Sequence, residues 1–199
     1  WRDLARSSRS EVAIAAITAL FVITIGVLSA ILVALVLSVL DVIRRTATPD
    51  DAVLGYSKQD GRYVDVTDHP DSGVTPGVVV YRIQGRLFFA NAHFFKRRLW
   101  AAVDGAPRPV RHVVLDAGAI VGIDASAVEA LREVYSGLRT RNTTLEVARA
   151  TAELRNDLAA TGLGDMIGVL HLHATVVGAV DTCIIDRHSS AHGPSSSAP

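Results

Sequence analysis

Val113-Val114-Leu115-Asp116, followed after a short loop by Ile123-Asp124-Ala125-Ser126-Ala127 and a run on to Arg141, is the stretch that decides the fold. Val113, Val114 and Leu115 form an uninterrupted apolar run rich in β-branching, which suits a central strand covered on both faces. Asp116 ends the run, and Gly118 and Gly122 give the next loop its conformational freedom. From Ser126 onward Val128, Leu131, Tyr135 and Leu138 recur at helical spacing. Ser126 and Glu129 have the S-x-x-E spacing of a capping box, which makes Ser126 the expected helix cap. A polar loop between a buried strand and a helix, with a hydroxyl at the helix start, is a place where a ligand or a phosphate can act. Asp116, Asp124 and Ser126 are therefore the candidate site residues.

The segments on either side repeat the alternation. Downstream, Thr144–Ala148 reads as a strand and Ala152–Thr161 as a helix closed by Gly162. Val169–His173 reads as a last strand, and Thr175 as the cap of a terminal helix reaching about Ile185. Upstream, Val78–Gln84 and Leu87-Phe88-Phe89 read as two strands joined in a hairpin by Gly85-Arg86. Asn91 is a good cap for a helix from Ala92 to about Asp104, with Phe94, Phe95, Leu99 and Val103 on the sheet. Lys96-Arg97-Arg98 then project outward as a solvated face, with lipid headgroups or a nucleotide phosphate as the functional alternative. Helices alternating with strands at these lengths predict an α/β domain, residues 77–186, with a mixed, partly parallel sheet flanked by helices. Residues 46–76 are polar and irregular and read as a linker, within which Arg62–Val66 could be a short edge strand. Residues 187–199, rich in Ser, His, Gly and Pro, read as a disordered tail.

Residues 12 to 40 carry no charge, and a soluble domain rarely contains such a run. As a single helix the run would be roughly 43 Å long, well beyond a hydrocarbon core of about 30 Å. Two passes would each be short, at about 14 residues. Arg2, Arg6 and Arg9 precede the run and Arg44 and Arg45 follow it, so the positive-inside tendency places both ends in the cytoplasm. Gly26 sits near the middle. Residues 1–45 are accordingly expected to form an α-helical membrane hairpin, with helices about Glu11–Ile25 and Val27–Arg45; one long tilted helix is the alternative. Thr24, Gly26, Ser29 and Ala30 would let neighbouring helices approach closely. The chain opens on Trp1 rather than Met, and the expectation is that it belongs to a longer protein.

Composition excludes several classes of function. Lys+Arg and Asp+Glu both total 20, so nothing argues for nucleic acid as a partner. Mean hydropathy is +0.31, most of it carried by the early apolar block. Cys183 stands alone, which excludes an internal disulfide and a thiolate cluster. His171 and His173 share one strand face, but the sequence near them supplies no carboxylate or thiol cluster, and no metal site is expected. Asp116 and Asp124 could hold Mg²⁺ with a nucleotide, although no G-x-x-x-x-G-K-[ST] loop is present. Loop carboxylates that accept backbone amides are the commoner case. No Ser-His-Asp or Cys-His context suggests catalysis, so neither an enzyme nor a cofactor is expected.

The succession Arg86-Leu87-Phe88-Phe89-Ala90-Asn91-Ala92, Phe94-Phe95-Lys96, Val113-Val114-Leu115-Asp116 and Ile123-Asp124-Ala125-Ser126 resembles a STAS domain. More closely, it resembles the STAS domain at the C-terminus of SulP-family anion transporters, and the apolar block resembles the last membrane segments of such a protein. The resemblance implies a secondary active transporter of sulfate-type anions, multi-pass in the plasma membrane, with its STAS domain cytoplasmic and acting in regulation, assembly or gating. It implies membrane lipid, the remainder of the transmembrane core, a second copy, and a regulatory protein or nucleotide as partners. The substrate site of that family lies between half-helices that this chain does not contain. Soluble STAS domains carry a phosphorylatable serine at the position of Ser126, but here Ala125 and Ala127 replace the flanking Ser and Gly. Ser126 thus stands between a capping role and a phosphorylation or partner site. The alternative to a transporter is a membrane-tethered STAS signalling module.

Overall fold

The computed structural model describes residues 9–25 and 27–191, and the chain separates into two compact units, Trp1–Thr48 and Pro49–Pro199. In the first unit, α1 spans Arg9–Ile25 and α2 spans Val27–Ala47, and the two helices touch. The intervening Gly26 lies outside the described residues. Ala30 is buried, while Leu28, Ile31, Leu32, Leu35, Val36, Val39 and Leu40 of α2 are exposed. The two helices are close to those expected, but a membrane hairpin is not seen. Among the described residues no helix is long and apolar enough to cross a membrane. The 17 residues of α1 reach about 25 Å, and the uncharged part of α2 stops before Asp41. A hydrocarbon core needs about 30 Å.

The second unit is a six-stranded sheet in the order β2-β1-β3-β4-β5-β6. Its strands are β1 Asp51–Ser57, β2 Arg62–Asp65, β3 Val78–Ile83, β4 His112–Asp116, β5 Thr144–Ala148 and β6 Leu172–His173. β1 is antiparallel to β2 and to β3, and the remaining pairs are parallel. Between them run α3 Ala92–Asp104, α4 Ala125–Thr140, α5 Ala152–Ala160 and α6 Leu163–Ile167, and α7 Val176–Ala191 closes the chain. Side chains alternate across the strands. Val79, Tyr81, Ile83, Val113, Leu115, Leu145 and Val147 face one way and bury Phe95 and Leu99 of α3 and Leu131, Val134 and Leu138 of α4. Leu54, Val80, Val114 and Ala148 face the other way and are covered by Val176, Ala179, Val180 and Cys183 of α7.

Five expectations change. The supposed linker contributes β1, an inner strand, as well as β2 at the edge. Its anchoring is long-range: the Tyr81 hydroxyl donates to Asp51 at 2.9 Å and Arg98 Nε donates to the same carboxylate oxygen at 2.8 Å. No local pattern displays such partners. Arg98 is therefore not simply solvated, and Lys96 is paired with Glu133 of α4. The hairpin through Leu87–Phe89 does not form. Leu87 instead makes one parallel bridge with Ile123, because its amide donates to the Gly122 carbonyl and its carbonyl accepts from Asp124. The last strand shrinks to Leu172–His173, preceded by a 3-10 turn at Val169–His171 in which Val169 and Leu170 are exposed. Finally, α7 continues to Ala191, so residues 187–191 are helical rather than part of a tail. Residues 192–199 lie outside the described residues.

Leu99 is fully buried between helix and sheet. Leu99→Ala is expected to destabilise the chain by about 2–5 kcal/mol through lost transfer energy and the cavity left behind. Urea unfolding followed by tryptophan fluorescence measures this.

Candidate functional site

β3, β4 and β5 run parallel and end together, with Arg82 in register with Asp116 and Asp116 with Ala148. The carboxyl edge of such a sheet is where ligands bind in open α/β folds. Asp116 is 1 % exposed, and its Oδ2 accepts from Arg82 Nε at 2.8 Å and lies 3.5 Å from Arg149 Nη1. Its Oδ1 accepts from the Gly118 amide at 3.2 Å. Arg149 follows β5 with φ +61°, a conformation uncommon outside glycine. Its amide donates to the His173 carbonyl at 2.9 Å. Its guanidinium lies close over Gly118, where a Cβ would meet Nε at 2.7 Å and push the arginine aside. The carboxylate of Asp116 is thus turned inward and paired with two arginines. Beside it a groove of about 450 Å³ is lined by Arg62, Tyr63, Arg82, Gln84, Arg149 and the start of α7 at Val176 and Val177. Three guanidinium groups near a helix N-terminus give this groove the chemistry of an anion-accepting surface.

Asp124, not Ser126, caps α4. Its Oδ1 accepts from the Ala127 amide at 2.9 Å, and its Oδ2 accepts from the Phe89 amide at 2.9 Å, which ties the loop after β3 to the helix start. The capping box therefore reads two residues late. Ser126 lies inside the first turn with its side chain exposed, and Glu129 faces Arg132 at 3.8 Å instead of reaching back. Asn91 begins α3 without a side-chain bond to that helix. Its Oδ1 accepts from the Phe88 amide and its Nδ2 donates to the Arg86 carbonyl, both at 2.9 Å, so it staples the loop 86–91. Gly122, at φ +155°, supplies the turn that brings Ile123 alongside Leu87. The result is an exposed hydroxyl at the start of a helix whose cap, Asp124, holds the amide of Phe89, 71 % exposed; Val121 in the preceding loop is 55 % exposed. Exposed apolar side chains around a helix start suit contact with another protein.

A second constellation lies under α7, towards the amino end of β4. The Glu146 carboxylate is 1 % exposed and holds both predicted strand histidines, His171 Nδ1 on Oε1 at 3.0 Å and His173 Nε2 on Oε2 at 2.8 Å. The carboxylate that the sequence near these histidines lacked comes from β5. Glu146 interrupts the apolar run Leu145-Glu146-Val147, and a charged residue in a central strand was the signal that could have found it. Arg82 in β3 gives the same kind of signal. Arg149 gives none.

Two expected outcomes separate these roles. Asp124→Ala should cost about 1–2 kcal/mol through loss of the cap, while Ser126→Ala should stay within about 0.5 kcal/mol. Thermal unfolding of the two variants side by side checks the order. Arg82→Met should cost about 1–3 kcal/mol, because it leaves the buried Asp116 with only the longer Arg149 contact, and Asp116→Asn introduced into Arg82→Met should recover part of the loss. A double-mutant cycle in urea reads both.

Residues 69–179 match the family model described as "STAS domain". Over 180 residues the chain is 39 % identical to a Mycobacterium tuberculosis protein named "Probable sulfate transporter", covering 90 % of this chain and 32 % of that one. Over 188 residues it is 28 % identical to Arabidopsis thaliana "Sulfate transporter 4.1, chloroplastic", covering 90 % and 27 %. The chain thus spans about a third of the length of the curated relatives it matches. Among solved structures, murine solute carrier 26 family member A9, an anion transporter in the inward-facing state, superposes with a TM-score of 0.80 at 19 % identity, covering 92 % of this chain and 30 % of that one. The STAS domain of a Vibrio cholerae SulP transporter superposes with a TM-score of 0.50 at 18 % identity, covering 62 % and 94 %. At such identities these two likenesses speak for the fold alone.

Proposed function

We propose, starting from the fact that the chain belongs to the STAS domain family, that it is the C-terminal portion of a SulP-type secondary active transporter of sulfate-like anions. The observation that carries this reading is the 39 % identity to a protein named a sulfate transporter, which takes in 90 % of this chain and so extends beyond the 111 residues of the family match into the helical unit. A physical argument supports it. α2 exposes a row of seven large apolar residues from Leu28 to Leu40, and such a face is stable only when lipid or other apolar helices cover it. On this reading residues 1–45 sit in the plasma membrane against the remaining helices of the transporter, and residues 49–191 form a cytoplasmic domain that assists assembly, trafficking or gating. The helices that would hold the anion lie in the part of the relatives that this chain does not span. No reaction is assigned to the domain.

The α/β unit offers two handles for regulation. The arginine groove takes an anionic group, including a nucleotide phosphate, without help from Asp116. Ser126, exposed at the start of α4, suits a protein partner or a kinase. A phosphate there would gain from the amides of α4 and lose from the Asp124 carboxylate two residues before it. These surfaces also favour the second reading, a membrane-tethered signalling module without transport.

A chimera separates the two readings. The 180 aligned residues of the M. tuberculosis relative are replaced by the matching residues of this chain, and sulfate uptake is measured in membrane vesicles. Uptake at no less than about one tenth of the relative's own rate supports the transporter reading. A chimera that reaches the membrane in normal amount and takes up no sulfate contradicts it.

A further inference from the structure

Beneath the middle of α7, three side chains from three elements converge: His112 at the start of β4, Glu146 in β5 and Cys183 in α7. Their ligand atoms all lie within 4.8 Å of one another. His112 and Glu146 share one sheet face, since positions 112 and 114 of β4 and 146 and 148 of β5 all point towards α7. His112 Nδ1 is enclosed and has no hydrogen-bond partner among the described residues. A buried polar atom left without a partner costs about 1–3 kcal/mol, so its presence asks for an explanation. Glu146 raises the same question. Each of its oxygens takes one histidine nitrogen, and a carboxylate oxygen has a second acceptor site to offer.

We propose that His112 Nδ1, one oxygen of Glu146 and the Cys183 sulfur form a binding site for a zinc-like divalent transition-metal ion. The donor set is one imidazole, one carboxylate and one thiolate, a mixture that suits zinc and its cobalt substitute and is foreign to Mg²⁺ or Ca²⁺. With metal–ligand distances of about 2.0–2.3 Å, tetrahedral ligands sit ~3.5 Å apart, so the three atoms close in by little more than about 1 Å. Rotation of the Cys183 and His112 side chains supplies a shift of that size. His171 and His173 act through Glu146: they fix the direction of its carboxylate, as outer hydrogen-bond partners do around metal ligands. A fourth position stays open for water or another ligand.

The electrostatics set the proton cost of binding. Burial, reinforced by the Glu146 and Asp186 charges, pushes the Cys183 thiol up to about 12, and burial holds the His112 imidazole below its usual value despite those same carboxylates. Without metal the thiol keeps its proton and the imidazole stays neutral. On binding, the thiol proton leaves to solvent and the metal takes its place on sulfur. The carboxylate and the new thiolate then face the dication together. A site that ties β4 and β5 to α7 would fasten the helix that covers this face of the sheet.

The chain has a single cysteine, so any thiolate-to-metal signal belongs to Cys183. The test titrates the full chain, in detergent, with Co²⁺ and records the thiolate-to-cobalt charge-transfer absorption. The expected result is a saturable band at one ion per chain, displaced by Zn²⁺. The band should disappear in Cys183→Ser. In His173→Gln it should persist, with affinity about 10–100-fold weaker, as expected for a residue that positions a ligand. Circular dichroism confirms that the variants are folded. No band in the unsubstituted chain at saturating Co²⁺ overturns the proposal, and so does a band that survives in Cys183→Ser.

Discussion

Val113 and Leu115 face one side of the sheet and Val114 the other, and all three are buried, so β4 is stable only while both of its faces stay covered. The rest of the domain answers that requirement. α3 and α4, the crossovers into and out of β4, lie on the first face, joined by α5 and α6. Among the described residues the second face has α7 alone, whose apolar contribution is Val176, Ala179, Val180 and Cys183. The covering is thus unequal: many helices on one side, one on the other. Where α7 passes the amino end of β4, the apolar cluster gives way to Glu146, His112 and the two histidines, and polar chemistry takes over the task of joining helix to sheet.

How much of this was legible follows from the range of the interactions. β3, α3, β4, α4 and β5 were readable because each carries its own period: a run of β-branched residues, or apolar residues at helical spacing. β1 was not, because what fixes Asp51 is the hydroxyl of Tyr81 and the guanidinium of Arg98, 30 and 47 positions away. The site residues behave in the same manner. Asp116, Asp124 and Ser126 are at the right edge of the sheet, but which of them caps, pairs or faces solvent depends on partners brought by other strands. Asp124 outcompetes Ser126 for the cap since it also receives the Phe89 amide, and a capping-box pattern contains no information about that loop. His171 and His173 looked isolated for a similar reason, with Glu146 supplied by the neighbouring strand.

The two units place different demands on their surroundings. The α/β unit buries a core on each face of its sheet and exposes arginines, a serine and two apolar side chains at one edge. α2 leaves a continuous apolar row uncovered, and its helix partner α1 is too short to span a bilayer unaided. On the proposed reading such a row is covered by lipid or other helices, and the sulfate transporters the chain resembles are about three times its length. The membrane placement of one unit and the cytoplasmic placement of the other are therefore the claim on which the functional account rests.

Accessibility labelling in intact cells tests that claim most directly. Single substitutions Leu35→Cys, in the exposed row of α2, and Lys58→Cys, in the turn between β1 and β2, are treated with a membrane-impermeant maleimide, with the unsubstituted chain as the blank. The account predicts that Leu35→Cys stays unlabelled before and after the cells are opened, and that Lys58→Cys is labelled only once they are opened. Labelling of Leu35→Cys in either condition, or of Lys58→Cys in intact cells, would contradict it.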